Sequence, residues 1–301
     1  MIEDLQKEIK QLKFNVKREP NINKQIELQK TLYRKKLELL DLIHEKDKAR
    51  AGITARELIN RVDNMPKVPK YETGIAKIDA SFLGGFETGL FINLAAESSV
   101  GKTTLLCNLL ANIAEGRRTV FFNFEMGDRL FVKKLKELNL NDTQLDNMII
   151  DSDTNKLEDL IMEIELYAEE GIKFFGIDSK MKIYSTSGEK EYQQISNMSK
   201  ELARLAARKD IIIILINQMN EEDIKNKRLA LKGSGDQKYD SDILLFMVKD
   251  EQGNRKLICT KNRMNDRLFS IDLTIDDYRS ANKPIETEFV SDSNLYMANM
   301  L

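Results

Sequence analysis

The stretch LFINLAAESSVGKTTLL, residues 90–106, decides the fold of this chain. An apolar strand over 90–95 runs into a polar loop, and an apolar helix over 102–115 follows. A strand, a loop ending in Gly-Lys-Thr and a helix, in this order, are typical of phosphate-binding loops. The N–H groups of such a loop and the positive end of the helix dipole attract phosphate oxygens. The stretch therefore predicts a nucleotide site.

The residues of this loop have separate predicted roles. Lys102 reaches the phosphates as a point charge, and the Thr103 hydroxyl ligates Mg²⁺. Gly101 lets the backbone approach the phosphates closely. Ala96 stands where the general pattern has its first glycine, and an ordinary turn with an exposed lysine is the alternative interpretation. The predicted nucleotide-binding residues are Ser98, Ser99, Val100, Gly101, Lys102, Thr103 and Thr104.

Apolar strands alternate with amphipathic helices from residue 90 onward. Further strands are predicted at 119–124, 148–151, 173–177, 211–216, 243–248, 255–260 and 268–274, and further helices at 128–138, 155–169 and 191–209. Near-continuous apolar strands separated by helices indicate an α/β fold, with a mainly parallel sheet buried on both faces. Short turns join the last three strands, which predicts antiparallel hairpins at one edge.

Polar residues follow three of these strands. Asp178 ends the strand at 173–177, where parallel sheets bind ligands, and is the predicted second Mg²⁺ ligand. A capping or turn aspartate is the alternative. Glu125 follows the strand at 119–124 and can orient and deprotonate an attacking water. Gln218 follows the strand at 211–216 and can hydrogen-bond a γ-phosphate or that water.

Residues 1–50 differ from the rest of the chain. They carry 13 Lys and Arg against 9 Asp and Glu, a net charge of +4. Pro20 separates two helices, and Asn21 or Asn23 can cap the second one. The simplest interpretation is an antiparallel helical hairpin, used either as a packing and oligomerisation arm or as a docking site for a partner protein. The first helix has a heptad seam formed by Ile2, Leu5, Ile9, Leu12 and Val16.

Composition excludes several classes of protein. A single histidine, His44, among 301 residues excludes a multi-histidine metal site, and a Ser-His-Asp triad unless His44 serves in it. Two cysteines provide no disulfide framework, which favours a cytosolic protein. The net charge of −2 excludes a globally basic nucleic-acid binder. The longest apolar run, 211–216, is too short to span a bilayer, so no membrane role is expected.

Together these motifs resemble the DnaB-type replicative helicases, which are hexameric RecA-fold ATPases. The resemblance covers about residues 71–275, with the motifs in family order. It rests on Thr73-Gly74-Ile75, Gly84-Gly85, the phosphate loop, Phe-Glu-Met at 124–126, Asn-Gln-Met-Asn at 217–220, Leu-Lys-Gly-Ser-Gly at 231–235 and Lys261-Asn262-Arg263.

The resemblance implies catalytic roles that the residues alone do not give. Glu125 is the catalytic base, Gln218 is the phosphate sensor, and Lys261 and Arg263 enter the ATP site of the neighbouring subunit. ATP and Mg²⁺ are the implied cofactors of a homo-hexamer whose channel holds single-stranded DNA. The loop residues expected to grip DNA phosphates are Lys225, Lys227, Arg228 and Lys232, and a solvated loop is the alternative.

The residues and the resemblance together predict a domain order. We expect a helical hairpin at 1–50, where the family has a globular collar domain, a linker helix and extended linker at 51–70, a RecA-like ATPase domain at 71–283 and a tail at 284–301. The linker helix begins at a capping box, Thr54-Ala55-Arg56-Glu57. A primase or a helicase loader is a possible partner of the hairpin.

Two alternative functions stay open at this point. One is a RecA- or KaiC-like ATPase that remodels DNA or protein without unwinding. The other is a nucleotide-gated interaction scaffold without catalysis. Loss of function on Glu125→Gln would argue against the scaffold.

Overall fold

The computed structural model describes residues 2–48, 52–64, 70–97, 99–185, 191–220, 228–231, 237–249, 252–274 and 277. These residues divide into two compact units, one within Met1–Lys67 and one within Val68–Leu301. The predicted tail and most of the extended linker lie outside the described residues. In the described part of the chain, no helix is both long and apolar enough to cross a bilayer.

The first unit begins with the predicted hairpin, formed by α1 (Ile2–Arg18) and α2 (Ile22–Lys48). Asn21, rather than Asn23, caps α2, because its side-chain oxygen accepts from the N–H groups of Asn23 and Lys24 at 3.0 and 3.2 Å. A salt bridge of 3.3 Å joins Lys35 to Glu8 across the hairpin. The side chains buried in this unit are Leu5, Ile9, Leu39, Leu40 and Ile43.

Helix α3 (Ala55–Asp63) completes the first unit. The predicted capping box is present: the Thr54 hydroxyl accepts from the Glu57 N–H, and the Glu57 carboxylate accepts from the Thr54 N–H at 2.7 Å. None of the helix residues is buried. The exposed apolar side chains include Leu58, Ile59 and Val62, so α3 carries an apolar face that its own unit does not cover.

The second unit is built on an eight-stranded sheet, ordered β3-β2-β4-β5-β1-β6-β7-β8. Strands β1 to β6 pair in parallel, and β6, β7 and β8 pair antiparallel at one edge, which confirms the predicted fold class. The strands are β1 (Leu90–Ala96), β2 (Thr119–Asn123), β3 (Met148–Asp151), β4 (Phe174–Asp178), β5 (Ile212–Gln218), β6 (Ile243–Lys249), β7 (Arg255–Asn262) and β8 (Phe269–Leu273).

Helices cover both faces of this sheet. The four helices predicted from periodicity are α5 (Lys102–Ala114), α6 (Asp128–Glu137), α8 (Leu157–Glu169) and α9 (Glu191–Lys209). The sequence pattern did not predict the short elements, because three to six residues make at most about two helical turns and show no apolar period. These elements are α4 (Ala76–Ser81), α7 (Asp142–Asn147), α10 (Gln237–Asp240) and a 3₁₀ turn at Lys180–Lys182.

Most positions of the central strands are apolar because both faces of the sheet are covered. Along β5, Ile212, Ile214 and Ile216 belong to the core on the α5 face of the sheet. Ile213 and Leu215 belong to the core on the α8 and α9 face. Successive side chains of a strand point to opposite faces, so a strand buried on both sides loses the apolar-polar alternation.

Candidate nucleotide-binding site

The carboxyl ends of four parallel strands meet at one edge of the sheet. The register places Ala96 of β1 beside Gln218 of β5, and Asn123 of β2 beside Asp178 of β4. Loops that leave this edge carry Lys102 and Glu125. Open α/β sheets bind ligands at the carboxyl ends of their strands, and four of the predicted site residues lie here.

The phosphate loop joins β1 to α5. Ser99 and Gly101 have positive φ angles of 61° and 116°, and Gly101 is the residue before α5. Left-handed residues turn successive N–H groups toward one side, which forms an anion-binding concavity. No side chain caps the first turn of α5, and unsatisfied N–H groups at a helix start suit phosphate. Ser98 lies outside the described residues.

The Lys102 side chain folds back over the start of the loop. Its ammonium group donates to the carbonyl oxygens of Ala96 and Glu97, at 3.1 and 2.7 Å. Burial lowers the pKa of Lys102, whereas the charges of Glu125, Asp178 and Glu97 raise it. A partly buried ammonium surrounded by these carboxylates lies where phosphate charge would be neutralised.

Thr103 and Asp178 are joined by the shortest described contact of the site. The Thr103 hydroxyl donates to Oδ2 of Asp178 at 2.5 Å. Asp178 is fully buried, and burial is the main cause that raises its pKa to about 6. Thr103 and Lys102 lower that pKa, and the negative charge of Glu125 raises it.

This pair fits Mg²⁺ by its chemistry. Oδ1 of Asp178 is buried and has no hydrogen-bond partner among the described residues. Magnesium is commonly held by one or two protein oxygens together with phosphates and waters. In the described part of the chain, no three acidic, histidine or cysteine side chains are arranged to hold a metal ion by themselves, so a cation here would depend on a phosphate ligand.

Glu125 is exposed at the turn that follows β2. The Asn123 side chain, which is buried, holds this turn from both sides: it donates to the Met126 carbonyl at 2.7 Å and accepts from the Met126 N–H at 3.3 Å. The Phe124 N–H donates to the Asp178 carbonyl at 2.7 Å. Glu125 is therefore fixed to the strand that carries Asp178. Sequence reasoning did not identify Asn123.

Gln218 is half-buried and is connected to a buried polar chain. Oδ1 of Asn217 accepts from the Gln218 N–H at 3.2 Å, and Nδ2 of Asn217 donates to Oδ1 of Asn93 at 3.1 Å. Asn93 donates onward to the Ser241 hydroxyl at 2.6 Å. Asn217, Asn93 and Ser241 are fully buried. Buried amides need partners, and this chain links strands β5 and β1 to the residue that precedes Asp242.

Lys261 and Arg263 lie at the other end of the strands, where the parallel strands begin. Strand β7 runs antiparallel to β6, and the register pairs Asn262 with Ile243, at the amino end of β6. Arg263 donates to Oδ1 of Asp242 at 3.3 Å, and both Arg263 and Lys261 donate to the Tyr239 carbonyl. Seven strand residues separate the two edges by roughly 20 Å. The structure therefore does not bring these two residues to the phosphate loop of their own chain.

The predicted DNA-contacting residues are only partly described. Arg228 is exposed, and its segment is closed by a bridge between Met219 and Leu231. Lys225, Lys227 and Lys232 lie outside the described residues. Their contact with DNA stays a prediction, as do the chemical roles of the other site residues.

One more side chain reaches the phosphate-loop helix. Lys134 of α6 donates to the Thr104 hydroxyl at 3.1 Å. This places a second lysine beside the first turn of α5. The only sequence signal was its place on a helix that follows Glu125, which gave no reason to single it out.

Several known proteins are similar to this chain in sequence. The model of an AAA domain matches residues 81–223. The replicative DNA helicase DnaB of Treponema pallidum (strain Nichols) is 26% identical over 243 residues, which are 69% of this chain and 55% of the relative. The chain spans about half the length of the curated relatives it matches.

Two solved structures share the fold. One, described as an ATPase domain, superposes with a TM-score of 0.63 at 18% identity, covering 77% of this chain and 98% of that domain. A DnaB-like replicative helicase, described with its interactions with primase, gives a TM-score of 0.60 at 16% identity and covers 80% and 69% of the two chains. The second unit therefore shares the RecA-like fold of these two structures.

Proposed function

We propose that this chain, a divergent and partial-length homologue of the DnaB-type replicative helicases, is the ATPase of a ring motor that moves along single-stranded DNA in cytoplasmic DNA replication. The observation that carries the proposal is the hydrogen bond between Thr103 and Asp178 at the mouth of the sheet. It joins two side chains whose oxygens would contribute ligands to a nucleotide-bound Mg²⁺, and Thr103 lies in the uncapped first turn of α5.

The loop binds the phosphates of ATP. The N–H groups at the start of α5 would donate to phosphate oxygens, and the Lys102 ammonium group, which donates to the carbonyls of Ala96 and Glu97, would neutralise phosphate charge. Thr103 and Asp178 would hold Mg²⁺, which would supply positive charge to neutralise the phosphates. A cation beside Asp178 favours its charged form, reversing the effect of burial on its pKa.

Glu125 is the general base for the attacking water. It is exposed at a turn that Asn123 fixes, so its carboxylate keeps its place beside Asp178 while remaining accessible to water. Gln218, at the adjacent strand end, contacts the γ-phosphate or the water. General bases positioned in this way accelerate proton transfer by typically 10²–10⁴-fold.

Arg263 and Lys261 act on the ATP of a neighbouring subunit. Their position at the far edge of the sheet supports this, because they cannot reach the loop of their own chain. A cation supplied in trans stabilises the charge that develops in the transition state and is worth 10³–10⁵ in rate in related NTPases. Hydrolysis would then require assembly.

The proposed assembly is a homo-hexamer. The uncovered apolar face of α3, formed by Leu58, Ile59 and Val62, supports packing on an adjacent subunit. The hairpin α1–α2 offers a contact for primase or a helicase loader. Arg228, with Lys225, Lys227 and Lys232, grips the phosphates of the DNA strand without reading its sequence.

The ATPase rate tests this function. It should be measured with and without single-stranded DNA, over a range of protein concentrations, for wild type, Glu125→Gln and Arg263→Ala, with the exposed Arg267→Ala as a matched control. We expect stimulation by DNA, a rate per subunit that rises with concentration, and loss of roughly 100-fold or more in the two site variants only.

Other results would support the alternative functions. Hydrolysis indifferent to DNA, with no strand separation on a forked duplex, would identify an ATPase that remodels other molecules. ATP binding without hydrolysis under any condition would identify a nucleotide-gated scaffold.

A further inference from the structure

Arg255 lies on strand β7, in the antiparallel part of the sheet, and its side chain reaches the phosphate loop. It is the first residue of β7, paired with Lys249 of β6 and Leu273 of β8. Its Nε donates to the carbonyl oxygen of Val100 at 2.8 Å. Val100 is buried and lies between the two left-handed residues of the loop, Ser99 and Gly101. No motif in the sequence indicates this contact.

The carbonyl of Val100 and the N–H of Gly101 belong to the same peptide unit. A trans peptide is planar, and its C=O and N–H point in opposite directions. When Arg255 holds the Val100 oxygen on the side of β7, the Gly101 N–H must point away from β7. That N–H is the last one before α5 begins, at the point where the loop and the helix dipole converge on a phosphate.

Arginine suits this task better than a neutral donor. The guanidinium is always charged and its donors have fixed directions. A charged donor makes a shorter and stronger hydrogen bond than a neutral one. The positive charge also lies beside a loop that receives an anion.

We infer that Arg255 is a positioning residue of the nucleotide site: by holding the Val100 carbonyl, it sets the direction in which the Gly101 N–H meets the phosphates of ATP. This inference rests on the proposed nucleotide site, but it does not depend on DNA binding or on assembly. Lys261 lies near the other end of β7, and Arg263 follows the last residue of the strand. One end of β7 therefore contacts the nucleotide loop of its own chain, and the other end positions the two residues proposed to act in trans.

Equilibrium binding of fluorescent mant-ADP tests the inference, since it requires neither hydrolysis nor a ring. Arg255→Ala should weaken mant-ADP about 10- to 100-fold, the equivalent of one charged hydrogen bond. The inhibition constant of pyrophosphate, used as a competitor, should rise by a similar factor because it probes the phosphate cradle alone. The KM for ATP should rise more than kcat falls. Arg255→Lys should recover part of the affinity.

Lys256→Ala is the matched control. Lys256 is the next residue of the strand, faces the other side of the sheet and lies 4.0 Å from Asp272. The affinity of the Lys256→Ala variant for mant-ADP should stay within twofold of that of wild type. If Arg255→Ala does not fold, Arg255→Gln takes its place with an expected loss of at least fivefold.

Three results overturn the inference. A folded Arg255→Ala or Arg255→Gln that binds mant-ADP and pyrophosphate within twofold of wild type would show that Arg255 does not position the loop. Loss of affinity for mant-ADP with pyrophosphate binding unchanged would place the defect outside the phosphate cradle. A wild-type protein that binds no mant-ADP would overturn the nucleotide site itself. A wild-type protein that binds mant-ADP but hydrolyses no ATP would overturn the proposed motor alone, and the Arg255 variants would still decide the inference.

Discussion

At the scale of single residues, Gly176 lets α5 pack closely on the sheet. A Cβ atom at Gly176 would lie 2.7 Å from the Leu110 side chain and 3.0 Å from that of Leu106. Both leucines are fully buried, so they have little room to move. α5 carries Lys102 and Thr103 at its start, and the fit at Gly176 therefore also holds the phosphate loop in place.

Gly176→Ala should destabilise the protein by about 1–3 kcal/mol, the usual cost of overpacking a core. Urea unfolding measures this cost. Gly116→Ala is the control, because nothing lies within 4 Å of a Cβ atom there, and its effect should stay within about 0.5 kcal/mol. Equal midpoints for the two variants would contradict this account of α5 packing.

The buried thiol of Cys259 predicts a pH dependence. Burial raises the pKa of Cys259 to about 12. In the unfolded chain the thiol ionises at lower pH, so its contribution to stability is present at neutral pH and is lost as pH rises toward 12. The difference in unfolding free energy between wild type and Cys259→Ala should shrink by about 2 kcal/mol between pH 8 and pH 10.5. A difference that does not change with pH would contradict the prediction.

The sequence indicated some site residues and not others, for a physical reason. Lys102, Thr103 and Asp178 were predicted because each stands at a strand or helix end, and the local pattern reveals such positions. Asn123 and Asn93 act through partners that only the fold brings near them. A buried asparagine within an apolar run carries no sign of which neighbour will accept its hydrogen bonds.

At the scale of elements, the alternation of apolar segments with helices and turns identified all eight described strands of the sheet, and their order came from the structure alone. Strand β1 lies between β5 and β6, and pairs so distant in sequence leave no local signal. The location of Lys261 and Arg263 depends on this order, because the antiparallel turn from β6 to β7 carries them to the edge opposite the phosphate loop.

Helix α3 allows a test of the proposed assembly. Ile59→Ser removes part of the exposed apolar face of α3. Sedimentation velocity should then show an association constant at least 10-fold lower than that of wild type, the equivalent of about 1.4 kcal/mol. The unfolding midpoint of the dilute protein should not change, since Ile59 is not buried. Asn60→Ser, on the same helix, is the control. Unchanged assembly by Ile59→Ser would argue against α3 as a subunit contact.

At the scale of the whole molecule, each proposed ATP site takes its parts from two copies of the chain. One edge of the sheet supplies Lys102, Thr103, Asp178 and Glu125, and the opposite edge supplies Lys261 and Arg263. Contacts of this kind are head-to-tail, and they close into rings or continue as filaments.

Mixing inactive subunits tests this division. Glu125→Gln and Arg263→Ala should each have little activity alone. After co-assembly in equal amounts, about one quarter of the interfaces would pair an intact Glu125 with an intact Arg263, so about one quarter of the wild-type ATPase rate should return. The double variant mixed with either single variant should recover none. Failure of the two single variants to complement would show that Arg263 does not act in trans.

The placement of Arg263 at the far edge also fixes a simple count. A closed ring of n subunits would hold n complete sites, whereas an open ring would hold n − 1. At the gap, the phosphate loop of one terminal subunit receives no Arg263, and the Arg263 of the other terminal subunit has no neighbouring loop to reach. Opening the ring to admit a DNA strand would thus inactivate one site, and the ATPase rate at saturating ATP would distinguish the closed ring from the open one.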